Sequence, residues 1–325
     1  MPLVNGKAVG ATGYGLMGLT WRHEPPSDEQ AFAAMRAAVE NGMTLWNGGE
    51  FYGPPERNSM TLVARYFARH PEDADKVVLC VKGGVSHKGI DCSPEAVRSS
   101  LDNILKQLDG RKKLDLFECA RRDPKVPLAD TLGVMQEYID RGLLGGISLS
   151  EVSAATIHEA AALAKIDAVE VELSLFSPDV LTNGIAAACA EHDIPLVAYS
   201  PLGHGILTGA IQTPATIPAH LSPFPRFSPA NLPHNLTLYN FIHALAQKKG
   251  CTPAQLALAW TRCLARRPGM PAVIVPIPGC TTAERVVENA VEVELTDAEM
   301  EEIDWILGRF EVKGLRYPEH VPVNT

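Results

Sequence analysis

Eight short apolar runs of strand character, most of them separated by amphipathic helical patterns, leave this chain few folds to choose from. The runs lie at about 11–17 (the weakest), 43–47, 77–82, 114–118, 145–149, 168–172, 194–199 and 272–276. Between them, Ser27 with Gln30 forms a capping box ahead of Phe32, Met35 and Val39 at helical spacing. Ser93-Pro94-Glu95 caps a second helix whose apolar face is Val97, Leu101, Ile104, Leu105 and Leu108, and Leu128, Leu132, Met135 and Ile139 repeat the pattern. Two further boxes, Thr252 with Gln255 and Thr296 with Glu299, open helices near the C-terminus. Strand–helix alternation implies parallel strands with helical crossovers, and eight such units close a (β/α)8 TIM barrel. The 325 residues then form a single α/β domain, 1–325. The interval from 200 to 271 is too long for one loop and helix, and its prolines at 214, 218, 223, 225, 229 and 233 predict a long irregular loop, 211–233, over one barrel mouth.

Composition narrows the setting. An apolar share of 46% supports a packed core and excludes a disordered chain. A net charge of −9 argues against nucleic acid and anionic membrane as partners, and no apolar run is long enough to span a bilayer. The start lacks the apolar segment of a signal peptide, and seven cysteines without a C-x-x-C pair suggest reduced thiols and no zinc site. The expectation is a cytoplasmic protein. Asn235-Leu-Thr237 matches a glycosylation sequon and is read as chance.

Residues 13–18, GYGLMG, match the dinucleotide fingerprint G-x-G-x-x-G, but Pro25-Pro26 forbid the helix that must follow it. These glycines are expected to let another backbone or a ligand pass close to a strand end. In a (β/α)8 barrel, chemistry sits at the C-terminal strand ends. There the chain offers Asn47, Glu50 and Tyr52; Lys82; Cys119, Ala120 and Arg121; Ser150 and Glu151; Glu172; and Tyr199 with Ser200. A lysine beside a phenol favours the ionised phenol, lowering its pKa by about 1–3 at contact distance. Tyr52 and Lys82 are the candidates for such a general acid, against the alternative of a structural tyrosine and a surface lysine.

Several stretches resemble the aldo-keto reductases: GLMGLT at 15–20, WNGGEFYG at 46–53, VKGG at 81–84, LSEVSAATI at 149–157, AYSPLGHGILTG at 198–209 and VPIPGCTTAERVVEN at 275–289. WNGGEFYG, DLFECARRD at 115–123, VEVELSLFS at 169–177 and GLRYPE at 314–319 further resemble the fungal pyridoxal reductases, which reduce pyridoxal to pyridoxine with NADPH. The resemblance implies NADP(H) as cofactor, a small-molecule carbonyl substrate and no metal. It places the proton-donating tyrosine at Tyr52, its lysine at Lys82 and the aromatic that stacks on nicotinamide at Tyr199. It puts Ser200, Leu202, Gly203 and Gly205 at the pyrophosphate, Ser150, Glu151 and Glu170 near the carboxamide, and Arg285 and Asn289 at the adenosine end.

Two departures touch the chemistry. Asn47 stands where the family has an aspartate paired with the lysine, and Ala120 where it has a histidine. Asn47 accepts a hydrogen bond but cannot neutralise Lys82, so that lysine is expected to carry an uncompensated charge or to become neutral by desolvation. Arg121 or a water is left to orient the carbonyl. The resemblance also leaves open another aldehyde or ketone, including a secondary-metabolite intermediate. Arg22, His204 and the 211–233 loop would then shape the pocket. A cofactor-binding regulator like the potassium-channel β-subunits is the remaining alternative.

Overall fold

The computed structural model describes residues 1–86 and 89–325. It opens with a hairpin, β1 (Leu3–Val4) against β2 (Lys7–Ala8), and continues as strand and helix in turn. The order is β3 (Tyr14–Gly15), α1 (Met17–Thr20), α2 (Asp28–Glu40), β4 (Leu45–Gly49), α3 (Ser59–Arg69), β5 (Val78–Gly83). A small hairpin, β6 (Val85–Ser86) with β7 (Gly89–Ile90), precedes α4 (Pro94–Leu108), β8 (Leu116–Cys119), α5 (Leu128–Asp140) and β9 (Ser148–Ser150). The second half runs α6 (Ala154–Leu163), β10 (Ala168–Glu172), α7 (Ile185–Glu191), β11 (Leu196–Tyr199), α8 (Leu232–Lys249), α9 (Pro253–Cys263), β12 (Ile274–Pro276), α10 (Ala283–Ala290) and α11 (Asp297–Leu307).

The strands β3-β4-β5-β8 pair in parallel, as do β9-β10-β11-β12. Parallel bridges Phe117↔Ile147 and Gly15↔Gly279 join the two sets at both seams and close the barrel. Each of the eight expected strands is present, starting one to three residues into its apolar run in most cases. Strand–helix alternation leaves each strand buried on both faces, one against the helices and one inside the barrel. Leu45, Val78, Cys80, Leu116, Ala168, Val197, Val275 and Ile277 fill the interior, with Val4 and Val9 of the N-terminal segment packed beneath them. Buried Asp115 latches that hairpin: it accepts from Lys7 Nζ at 2.5 Å, Lys112 Nζ at 2.6 Å and the Leu79 amide at 2.8 Å.

The glycine run is a steric requirement of closure. A Cβ on Gly13 would lie 2.6 Å from the Leu45 carbonyl oxygen, and one on Gly15 3.0 Å from that of Ile277. Only the four-residue α1 follows, so no dinucleotide helix is built there. Ser27 does cap α2, but Gln30 turns away to the Thr281 carbonyl at 2.9 Å, so the expected box is half made. The boxes at Thr252 and Thr296 are complete.

The proline-rich segment is three short 3-10 turns, Pro214–Thr216, Ala219–Leu221 and Pro225–Phe227. Its expected end is corrected: Leu232 and Pro233 already belong to the first turn of α8, where proline's missing N–H is harmless. Asn235 of the sequon is buried and donates to the carbonyls of Arg226 and Lys313, tying this loop to the C-terminal tail. All seven cysteines are free thiols. Among the described residues no helix is long and apolar enough to cross a membrane.

Candidate active site

The loop between β4 and α3 fixes Tyr52 from both ends. Gly49, at the end of β4, lacks the Cβ that would press within 3.0 Å of the Tyr52 ring. Asn58 caps α3 through Met60 N and Thr61 N, both at 3.0 Å, and donates back to the Glu50 carbonyl at 2.9 Å. The ring lies under exposed Trp21, stacked at 5.3 Å between centroids, with Phe51 edge-on at 4.9 Å. Burial pushes the phenol up to about 12; Lys82 pulls the other way, and Glu170 and Glu118 add to the rise. The expected lowering is therefore overturned: desolvation outweighs one cation, and the phenol stays protonated at neutral pH.

Lys82 is buried directly opposite Glu118, its register partner on the neighbouring strand. Its ammonium contacts Asn47 Oδ1 at 2.8 Å, Glu118 Oε1 at 2.9 Å and the Glu170 carboxylate. Burial works against its charge, but the two glutamates hold its pKa well above the ordinary lysine value. The uncompensated or neutral lysine expected from Asn47 is thus corrected: counter-charge arrives from β8 and β10. Asn47 Nδ2 donates to Glu118 Oε1 at 3.3 Å and to Glu170, and Ser148 Oγ donates to Glu118 Oε2 at 2.6 Å. A polar layer from five strands, β4, β5, β8, β9 and β10, so lies across the barrel above its apolar filling. Cys80, Glu118 and Glu170 have metal-ligand spacing, but the ammonium already lies against both carboxylates.

A second buried charge cluster lies across the mouth. Arg316, on the tail after α11, reaches Glu151 Oε2 and Glu172 Oε2, both at 3.0 Å. Burial alone would raise Glu172, yet His204 at 3.7 Å and Arg316 bring it down to about 2. Tyr317 meets the Tyr199 hydroxyl at 3.1 Å, Phe224 packs on both Tyr317 and His204, and Arg121 holds the Pro322 carbonyl at 2.7 Å. The tail and the proline-rich loop together wall this side of the mouth. Arg22 is exposed and joins no hydrogen bond or ion pair given by the described residues.

The remaining expected residues fall into two groups. Glu151 and Glu170, expected at a carboxamide, have their carboxylates on Arg316 and on Lys82 with Asn47. Ser150 at the end of β9 is buried with a hydroxyl that finds no partner in the protein. Beside these ends, Glu151 and Ser200 hold left-handed backbone, φ 53° and 47°, and Gly203 and Gly205 turn the following loop at φ 57° and 98°. Non-glycine residues there are strained, which is common where a chain shapes a binding site. At α10, Thr282 caps the helix through the Arg285 amide, leaving the Arg285 side chain exposed at a helix N-terminus, while buried Asn289 donates to Cys280 Sγ at 3.7 Å. Glu118, Arg316 and Tyr317 were not singled out as site residues in the sequence. A glutamate inside the apolar run LFEC was the available signal for Glu118.

Comparison with known proteins agrees with this architecture. The Aldo/keto reductase family model matches residues 11–307. Probable pyridoxal reductase 2 of Schizosaccharomyces pombe is 42% identical, covering 98% of this chain and 97% of its own. Among solved structures, the glycerol dehydrogenase from Gluconobacter oxydans superposes with a TM-score of 0.81 at 22% identity, covering 97% of this chain and 96% of its own. An aldo-keto reductase from Klebsiella pneumoniae in complex with NADPH does so at 0.71 and 22%, covering 98% and 95%. With a protonated tyrosine and a charged lysine at neighbouring strand ends of a closed (β/α)8 barrel, and a family match across almost the whole chain, this protein belongs to the aldo/keto reductases, NADP(H)-linked oxidoreductases of carbonyl compounds.

Proposed function

We propose that this enzyme reduces pyridoxal to pyridoxine with NADPH, Tyr52 donating the proton that completes the alcohol. The observation that carries the reading is the buried Tyr52, stacked under Trp21 with Phe51 edge-on, near a buried Lys82 that Asn47 and Glu118 hold in place. A positioned general acid is worth about 10²–10⁴ in rate. When bound, NADPH supplies the hydride. The unpartnered Ser150 hydroxyl fits a carboxamide, the glycine turn after Ser200 and Leu202 fits a pyrophosphate, and the unengaged Arg285 fits a 2′-phosphate. Tyr199 is the ring for the nicotinamide, and Asn289 stands at the adenosine end. Substrate would sit among Trp21, Phe51 and Tyr52, with Arg121 within electrostatic reach of Tyr52, Tyr199 and Tyr317. Such a mouth suits a flat aromatic aldehyde, in line with the name of the yeast relative.

The test is NADPH consumption with pyridoxal beside a panel of aromatic and aliphatic aldehydes. Pyridoxal should give the highest kcat/KM. A better aliphatic substrate would replace the substrate and keep the chemistry, and binding of NADPH with no turnover of any aldehyde would end the catalytic reading. For the cofactor, Arg285→Ala should weaken NADPH binding about tenfold or more, the worth of one charge-assisted hydrogen bond, and leave NADH nearly unchanged. Equal losses in a binding titration would remove Arg285 from the 2′-phosphate.

A further inference from the structure

We propose that Glu118 and Glu170 act jointly as the counter-ion of Lys82, sharing one negative charge and one proton, and that Asn47 is the amide this sharing requires. The inference rests on Tyr52 as the proton donor and assigns three positioning residues behind it. Geometry comes first. The ammonium contacts both carboxylates, and Asn47 spans all three groups, its Oδ1 accepting from Lys82 at 2.8 Å while its Nδ2 donates to Glu118 and Glu170. Every atom of the Asn47 amide is used. An aspartate at 47 would turn an acceptor toward two glutamates, placing three carboxyl groups around one cation with a donor lost.

Charge balance then decides the protonation. Two carboxylates in contact in a buried site cannot both ionise cheaply against a single cation. Glu118 has one donor that Glu170 lacks, Ser148 at 2.6 Å, while Lys82 and Asn47 lie closer to Glu170. The charge and the proton therefore belong to the pair, with the charge weighted toward Glu118. The ordinary burial penalty agrees: Glu118 is buried but held low by Lys82, whereas burial and the Glu118 charge push Glu170 well up. The layer is therefore neutral overall, which is why it can sit inside the barrel. Lys82 remains charged without drawing the Tyr52 proton away, because the glutamates offset part of its pull on the phenol.

The groups facing this lysine are Tyr52, Asn47, Cys80, Glu118 and Glu170, with Ser148 behind Glu118 and Arg121 acting on Tyr52. Removing both carboxyl partners, and with them their one shared charge, gives one sign of effect by either route. Lys82 unshielded would ionise Tyr52 at lower pH, or burial would neutralise Lys82 at lower pH, and each ends the active form sooner as pH rises. Glu118→Gln/Glu170→Gln should thus bring the alkaline fall of aldehyde reduction down by about 1 pH or more, with kcat reduced at least about tenfold. Adding Asn47→Asp to this pair returns one carboxylate to the 2.8 Å contact and should restore the wild-type profile and most of kcat.

A folded double variant with the wild-type profile overturns the proposal, and so does a triple variant that is unfolded or unrestored. If the double variant fails to fold, recovery in the triple variant decides alone. Tyr52→Phe in the wild-type background separates the two levels. Full activity there removes the proton-donor reading itself, whereas its loss beside a wild-type-like double variant removes only the counter-ion.

Discussion

Replacing Tyr52 with phenylalanine is expected to leave a folded protein that binds cofactor and reduces aldehydes about 10²–10⁴ times more slowly. The phenylalanine ring keeps the stacking on Trp21 and the edge contact with Phe51, so the lost hydroxyl is the main change. Single-turnover reduction is the measurement, because it reads the chemical step apart from product release. Retention of the wild-type rate would sink the assignment of Tyr52. The pH dependence carries the same logic with a definite sign. Reduction needs the phenol protonated, so its rate should stay level through neutral pH and fall only as pH climbs toward about 12. Oxidation of the alcohol needs the phenolate, so the reverse rate should rise over that range. Both limbs should vanish from whatever residual activity the phenylalanine variant retains.

How much of this was legible in the sequence follows from the range of each interaction. The barrel was, because strand–helix alternation is repeated eight times and each unit is local. Tyr52 and Lys82 were legible only as candidates: a lysine closing an apolar strand run faces a barrel mouth or solvent, and the loop tyrosine was equally readable as structural. Their roles came from the family resemblance. The state of Tyr52 was not: its pKa depends on burial by Trp21 and Phe51 and on glutamates from two other strands, and no local pattern reports that sum. Glu170 illustrates the same gap. Its motif AVEVE suggests a strand with alternating sides, yet its partners Lys82 and Asn47 are 88 and 123 residues away in the chain. Arg316 is further out of reach, since a tail without periodicity gives no sign that it returns to two buried carboxylates 165 and 144 residues earlier. The glycine run was read correctly for a steric reason, as Pro25-Pro26 exclude a long helix whatever the tertiary structure does.

Lys82→Met should be the most damaging single change, in both activity and stability. Methionine fills the same volume but leaves Glu118 and Glu170 facing each other with no cation in contact. Breaking a buried ion pair from one side costs about 3–5 kcal/mol, because the remaining charge is stranded. The glutamates relieve this by taking up protons, and that gives the loss a pH dependence. In the wild type, Lys82 holds Glu118 below its usual range despite burial, so its contribution is present above pH ~4.5 and fades as pH falls through the folded-state value. In the variant, burial raises the same carboxyl, so native stability is fullest in acid and declines as pH rises past the unfolded value. The stability gap between the two proteins should therefore be small near pH 4 and widen toward pH 7. Denaturant unfolding at both pH values measures it, with aldehyde reduction in the folded variant down at least about a hundredfold. A gap that stays constant with pH would mean that Lys82 supports the fold by packing alone. A gap that widens, beside lost turnover, would tie the stability of the barrel interior and the readiness of Tyr52 to the same buried charge.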